Sequence, residues 1–442
     1  MNDRMSTSAT REGRQRSQCG VAVSPDKINE AGPSRTHAPS ARAEVALLTG
    51  GGDRPYALGL ASTLISQGVP FDFIGSDEVD GPELHKSPLV RFLNLRGDMR
   101  PSASVTRKVL RVLTYYGRLL RYATVATPKV FHVLWNNKLE FLDRTFVLLF
   151  YRLLGKRIAF TVHNVNARQR DGNDNLVNRL TLRIQYRLVD HLFAHTEEMK
   201  RALRKDFGVP DCKISVIPFG INSTVPNTVL TSSEARKRLG LTAHQKVVLF
   251  FGNIAPYKGL EYLVAAMALL GRTKTDYRLV IAGRPKNGCP YWKAIRQQIS
   301  FAGVRPMVIE RSEYVPDAET EIYFKSADVL ALPYKYIFQS GVLFLAYNFG
   351  LPVIASDVGS LREHIVSGRT GYVCEPENPV DLARAIETYF ASELYRQLEA
   401  RRQDIQRFAN ERYSWRKVGE ITRSVYENLL DRDNISGRRN RG

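Results

Sequence analysis

Cysteine is scarce: Cys19, Cys212, Cys289 and Cys374 are the four in 442 residues, far apart and without a Cys-x-x-Cys pair. That spacing indicates neither a zinc site nor a disulfide framework, and a reducing cytoplasm is the simplest setting. Long apolar runs are missing as well. The nearest candidate, 146–154 (FVLLFYRLL), is short and contains Arg152, so no segment is expected to span a bilayer. The N-terminal stretch has no apolar core, so no secretory signal is read. Acidic charge is in deficit: 44 Asp+Glu stand against 64 Lys+Arg, a net charge of +20. The surplus favours anionic partners, whether nucleic acid, phospholipid or phosphorylated small molecules, without choosing among them. At 43% hydrophobic and 24% charged, the chain has the composition of a globular protein. Its length suggests two or three domains.

Residues 1–42, rich in Ser, Arg, Gly, Thr and Pro, are expected to form a disordered tail, as are 431–442. Between them apolar runs alternate with helical stretches, the pattern of βαβ units and parallel sheets. Strands are expected at 45–49, 71–74, 131–135, 158–162, 192–194 and 214–217. After a loop-like linker at 226–233 the pattern restarts, with strands at 247–252, 278–282, 307–310, 329–333, 353–356 and 371–374. Helices are expected at 57–67, 260–270, 317–325, 342–348 and 379–390, and a long helical region at 393–430. The expected fold is α/β, two facing Rossmann-like domains (43–225 and 226–430) with a cleft between them, the terminal helix free to cross back to the first.

The most informative stretch is 251–259 (FGNIAPYKG). A buried strand ends at Gly252, and Lys258-Gly259 opens a helix. In an open α/β sheet ligands bind beyond the carboxyl ends of the strands, where an ammonium and free helix amides suit a diphosphate. A second such end lies at 334–362. Ser340 is a natural N-cap and Gly341 permits close backbone approach, so two amide clusters converge with one lysine. The strand end at 281–284 (IAGR) offers a glycine against which a flat base could lie.

These motifs, with Gly350-Leu351-Pro352-Val353, Ala355-Ser356-Asp357-x-Gly359 and Ser367–Tyr372 (SGRTGY), resemble the C-terminal domain of the glycosyl transferases group 1, family 4 of the nucleotide-sugar-dependent enzymes. The resemblance covers about residues 43–430 and implies the GT-B architecture. It implies that Lys258 contacts the donor diphosphate within a loop of Gly252, Asn253 and Gly259. Gly283, Arg284 and the backbone at Tyr314-Val315 would line the nucleobase pocket, and Ser340 and Gly341 would offer amides to phosphate or sugar. Two departures stand out. Asn253 replaces the family's usual Arg. Counting back from Pro352, Ile337 and Leu345 occupy the places of its Glu-x7-Glu pair. The Gln339-Ser-Gly-Val-Leu run resembles a divergent polysaccharide-biosynthesis subgroup, in which Gln339 and main-chain groups would substitute.

In the first half, Gly50-Gly51-Gly52-Asp53-Arg54 follows the first strand. It is not a Gly-x-Gly-x-x-Gly fingerprint, and Asp72 lies inside its strand, so no dinucleotide site is read. By the resemblance, Gly51 and Gly52 lie near the donor phosphates and Asp53 and Arg54 near the acceptor. His163 ends a buried strand. The resemblance places it against the transferred sugar, a catalytic role shared with Lys258, with Asn164 and Arg168 toward acceptor. A departing nucleoside diphosphate needs its charge stabilised, and these groups could do that without a metal or cofactor. No strand end carries an Asp-x-Asp motif, and no pair of carboxylates spaced for acid and base work is visible.

Residues 99–139 hold eight Lys/Arg and no acid. Within 107–122 a helical wheel gathers Arg107, Arg111, Arg118 and Arg121 on one side. Val109, Val112, Leu113, Tyr116, Leu119 and Leu120 fall opposite, and Tyr115 and Tyr122 lie at the boundary. A stripe of one sign suits an anionic leaflet or a lipid-linked diphosphate acceptor. The expectation is a retaining, metal-independent glycosyltransferase of cell-surface or exopolysaccharide synthesis, cytoplasmic and peripheral on the inner face of the plasma membrane. Three rivals remain: a non-catalytic sugar-nucleotide-binding relative, a basic nucleic-acid-binding protein, although no such motif is present, and a two-domain epimerase.

Overall fold

Thirteen strands build two parallel sheets among the described residues. β1 (Val45–Leu48), β2 (Phe71–Gly75), β3 (Val90–Asn94), β4 (Val130–Val133), β5 (Arg157–Val162), β6 (His191–Ala194) and β7 (Ile214–Val216) lie in the order β3-β2-β1-β4-β5-β6-β7. β8 (Lys246–Phe251), β9 (Tyr277–Ala282), β10 (Val308–Arg311), β11 (Val329–Leu332), β12 (Val353–Ser356) and β13 (Gly371–Cys374) lie in the order β10-β9-β8-β11-β12-β13. The reversal of order at β1 and at β8 makes each lobe a doubly wound unit with its crevice at the carboxyl ends of those strands. The structure is a computed structural model. It describes residues 43–50, 53–98, 105–221, 225–272, 275–286 and 290–439, with backbone alone at 105 and 432–439. Residues from Ala41 onward form one compact unit that includes both sheets.

The apolar runs become strands because both faces of each sheet are covered. Val45–Leu48 and Val353–Ser356 are buried at every position, as parallel strands between helical layers must be. β3 was not expected from the sequence. It is an edge strand with no fully buried position, and its Arg91 pairs with the buried Asp72 of β2, so it lacks the apolar run that marks the others.

The expected linker ends early, because Thr231 caps the helix Ser232–Arg238 through a reciprocal bond with Glu234. The expected long helical region is three helices, Glu393–Arg396, Leu398–Arg412 and Trp415–Arg439, broken at Gln397 and Tyr413-Ser414. The last runs through residues expected to be tail, as far as Arg439. It packs on the helix Arg54–Ser66 of the first lobe. The Trp415 indole lies where a Cβ on Gly59 or Gly220 would fall, and its Nε1 donates to the Ile221 carbonyl at 2.9 Å. Ile221 N–H in turn donates to the Tyr413 carbonyl at 3.3 Å, so the two passages between lobes lie side by side.

The helix Val105–Val125 is rotated from its expected setting. Tyr115, Tyr116, Leu119 and Tyr122 are buried, whereas Val109, Leu110 and Leu113 are exposed. The tyrosines decide this. Tyr116 donates to Asp143 at 2.8 Å and Tyr122 to Asp72 at 2.7 Å, and those buried carboxylates pull the aromatic edge inward. The arginine stripe is correspondingly divided. Arg111 is partly buried and bonds the Asp98 carbonyl, while Arg107, Arg118 and Arg121 are exposed, Arg118 reaching the Leu95 carbonyl at 3.5 Å.

Candidate active site in the interlobe cleft

On the second lobe, three strand ends lie side by side. Gly252 N–H donates to the Ala282 carbonyl and Gly283 N–H to the Arg311 carbonyl, each at 2.9 Å. Gly252 and Gly283 have φ of 94° and 150°, and a Cβ on Gly283 would overlap the Gly252 carbonyl, so glycine is required where β8 and β9 end. Lys258 curls back over this edge and is 5% exposed. Its Nζ lies 3.0 Å from where a Cβ on Gly252 would be, and Val342, in the first turn of the helix Gly341–Asn348, lies 3.5 Å from the same point. The ammonium and that helix start therefore share one crevice. They are also joined through Tyr334: Lys258 Nζ is 5.4 Å from the ring centroid, and the phenol hydroxyl is 3.3 Å from Ser340 Oγ.

Among the described residues no carboxylate pairs with Lys258. Its protein bond is to the Phe251 carbonyl at 3.4 Å. Burial holds its pKa below that of an ordinary lysine, and Arg170 pushes the same way against Tyr257. A buried ammonium without a counterion costs free energy unless an anion arrives. Gln339 makes the same case in neutral form, for both of its amide atoms are buried without a partner. Ser340 is buried and Gly341 exposed at the helix start, Asn253 and Arg284 are exposed at their strand ends, and Tyr314 is exposed beside buried Val315. Ile337 and Leu345 lie in the hydrophobic core, filling by packing the places where carboxylates were looked for.

On the first lobe the residues pack as an aromatic cluster. His163 stacks on Trp135 with centroids 4.1 Å apart and planes 2° from parallel, and meets Tyr56 edge-on at 4.7 Å. Its Nδ1 lies 3.1 Å from His195 Nε2, and its Nε2 has no partner. Burial, with His195 and His132 nearby, holds the His163 pKa well below the usual imidazole value, so the ring is neutral at ordinary pH. Asp53 caps the helix Arg54–Ser66 by accepting from Tyr56 N–H at 3.3 Å. Loss of water raises its pKa although the residue keeps an exposed edge; the Tyr56 bond opposes this and Asp317 of the other lobe adds to it. Asn164 accepts from Asn166 N–H at 3.0 Å, and Arg168 pairs with Glu140 at 3.3 Å. These three side chains are thus held by the fold, and Arg54 is exposed. Gly51 and Gly52 lie outside the described residues.

The two edges face one another. Phe219 packs 6.4 Å from His163, stacks on Phe344 at 5.3 Å, and lies 3.8 Å from where a Cβ on Gly341 would be. Arg170 lies over the Tyr257 ring at 4.7 Å, and Asp171 pairs with Lys286 at 3.7 Å. A cation and helix amides on one wall, and a neutral imidazole with a free nitrogen on the other, suit transfer from a diphosphate leaving group.

A family model described as Glycosyltransferase Family 4 matches residues 50–225, and one described as Glycosyl transferases group 1 matches residues 245–392. The chain belongs to the group 1 glycosyltransferases. Its curated relatives include the D-inositol 3-phosphate glycosyltransferase of Corynebacterium glutamicum. That match is 24% identical over 403 residues, 89% of this chain and 95% of the relative. The namesake enzyme of an Arthrobacter species is 30% identical over 270 residues, 60% of this chain and 59% of the relative. Among solved structures, sucrose-phosphate synthase from Thermosynechococcus elongatus superposes with a TM-score of 0.71 at 18% identity, covering 88% of this chain and all of that one. Anabaena HepE in complex with UDP gives 0.65 at 17%, covering 87% and 100%. At these identities the structures establish the shared GT-B fold.

Several residues of this glycosyltransferase's cleft had no place in the sequence reading. Phe219 sits in a Pro218-Phe219-Gly220 turn after the last strand of the first lobe, a punctuation mark that could have flagged a lobe crossing. Tyr56, Trp135 and Tyr334 read as ordinary core aromatics. Arg170 is one arginine among several in a loop, and nothing in its spacing sets it apart.

Proposed function

We propose that this glycosyltransferase moves a sugar from a nucleotide-diphosphate sugar to a glycan or lipid-linked glycan acceptor in cell-surface or exopolysaccharide synthesis, with retention and without a metal. The observation that carries the donor side is Lys258, a buried ammonium without a counterion, sharing one crevice with the start of the helix Gly341–Asn348. The donor diphosphate would supply the missing anion, and the Gln339 amide, buried without a partner, would bond a phosphate, ribose or sugar hydroxyl. In the first lobe the neutral His163 offers Nε2 to the transferred sugar. HepE, of the same fold, binds UDP and UDP-glucose, which supports a uridine donor as the first to try.

The acceptor side rests on the outer face of the first lobe. The helices Val105–Val125, Leu148–Leu153 and Leu176–Leu188 leave Leu110, Leu113, Leu149, Leu153, Leu176 and Leu180 exposed. Exposed Arg107 and Arg121 lie on the first of these helices. Apolar side chains with cations beside them suit the surface of an anionic leaflet, which would bring the cleft to a polyprenyl-linked acceptor on the cytoplasmic side. Among the described residues no helix is long and apolar enough to cross a membrane.

Nucleotide release from UDP- and GDP-sugars, with Lys258→Ala as control, tests the donor reading. Turnover with at least one donor that is lost in the variant supports it. Donor binding without release under any acceptor would favour a binding-only relative, the reading that the apolar Ile337 and Leu345 speak for.

A further inference from the structure

The wall that holds Lys258 is short of positive charge. A nucleoside diphosphate carries more than one negative charge. The second lobe offers it Lys258, a neutral Asn253, a neutral Gln339 and helix amides. A further guanidinium that acts on Lys258 comes from the opposite lobe, whereas Arg284 of the second lobe is exposed at its own strand end. Arg170 ends the short helix Ala167–Arg170, seven residues beyond His163, and lies 4.7 Å over the ring of Tyr257, the residue next to Lys258. Tyr257 in turn is fixed by its carbonyl, which accepts from Lys335 N–H at 2.9 Å.

Resting on the donor reading above, we propose that Arg170 is the second cation of the donor diphosphate site, delivered by the first lobe and held ready by Asp171. The two bonds from the guanidinium to the Asp171 carboxylate measure 2.9 Å and 3.1 Å, so Arg170 is oriented and partly neutralised. Asp171 is itself shared with Lys286 of the second lobe. Burial would raise its pKa, but Arg170 and Lys286 outweigh this and keep it ionised. Arg170, Asp171 and Lys286 form one bonded chain across the cleft, and Lys258 is the residue beside the ring that Arg170 covers. Lys258 and Arg170 repel each other, and Asp171 relieves the repulsion. An incoming diphosphate relieves it better, because it bonds both cations. Arg170 then exchanges its intramolecular carboxylate for phosphate oxygens, which guanidinium grips with two parallel bonds. Donor binding then ties the two lobes together, since Arg170 and Lys258 sit on opposite walls.

Isothermal titration of the full chain with UDP and GDP, and with UMP as the monophosphate, tests this. Arg170→Gln is expected to weaken the tighter diphosphate about tenfold and UMP far less, with Arg170→Lys recovering part of the loss. Asp171→Asn is expected to tighten the diphosphate about two- to fivefold, because it frees the guanidinium. A structural strut would give the opposite sign, both variants weakening binding together, and that result overturns the proposal. So does a diphosphate affinity unchanged in Arg170→Gln while Lys258→Ala abolishes it. If neither diphosphate binds the wild-type chain, or Lys258→Ala binds as well as wild type, the donor reading fails and takes this inference with it.

Discussion

At the carboxyl edge of the second lobe, the groups that matter are backbone amides, glycines in conformations other residues avoid, and one buried lysine. At the same edge of the first lobe they are side chains, many of them already occupied: Asp53 caps a helix, Asn164 closes a turn, and Arg168 is paired. The outer surfaces differ too. Of eighteen exposed large hydrophobic residues among those described, thirteen belong to the first lobe. One topology has been put to two uses. The edge of the second lobe is set mainly by backbone geometry and one buried lysine. The first lobe is set by side chains and presents an apolar surface outward.

Lys258→Ala strikes the second lobe and is expected to have the largest effect, a loss of at least about 100-fold in nucleotide release. Its melting temperature should stay level or rise, since an unpaired buried charge is removed. Turnover within threefold of wild type would erase the contrast between lobes. His163→Ala strikes the other wall and is expected to lower turnover about 10- to 100-fold while UDP affinity holds. Equal losses in affinity and turnover would put the imidazole on the donor side instead.

Acid sharpens the comparison differently. Burial lowers His132 to about 3, His195 to about 4 and His364 to about 3, and the first two belong to the first lobe. Unfolded imidazoles take up protons below about 6.5, whereas these stay neutral. The unfolded state therefore binds more protons, and stability falls as pH drops from about 6.5 toward 4, by up to about 1.4 kcal/mol per pH unit for each histidine. Urea titrations at pH 7, 6 and 5 measure the slope, and a flat profile contradicts the assignment. The smallest effect concerns the outer face. Leu110→Glu with Leu149→Glu should cut co-sedimentation with anionic phospholipid vesicles about fivefold at low salt. Arg107→Ala or Arg121→Ala should cost about 1 kcal/mol each, and Arg111→Ala less, its guanidinium being tied to Asp98. Vesicle binding indifferent to all four would leave the apolar surface without its leaflet.

Much of the second lobe was legible because its chemistry is written in residue types with few other uses. A glycine ending a buried strand and a lysine six residues on before another glycine constrain the backbone wherever they occur. The parallel sheets were legible for a similar reason: strands buried on both faces are unbroken apolar runs. β3 escaped because an edge strand needs no such run, and Arg91 hides in it by pairing with Asp72. The rotation of the helix Val105–Val125 escaped because a helical wheel weighs a tyrosine by its ring, whereas the partners of its hydroxyl, Asp143 and Asp72, lie far away in sequence. Arg170 escaped for the plainest reason, that its neighbour Tyr257 belongs to the other half of the chain.

Trp415 fills the space left by two absent side chains, at Gly59 and Gly220, just where the chain passes between lobes. The bearing between the lobes at that crossing is therefore an indole seated on bare backbone. A single methyl group added at Gly220 would wedge that bearing. Its penalty should appear in the turnover number, through lobes that no longer shut, at a position that no substrate reaches.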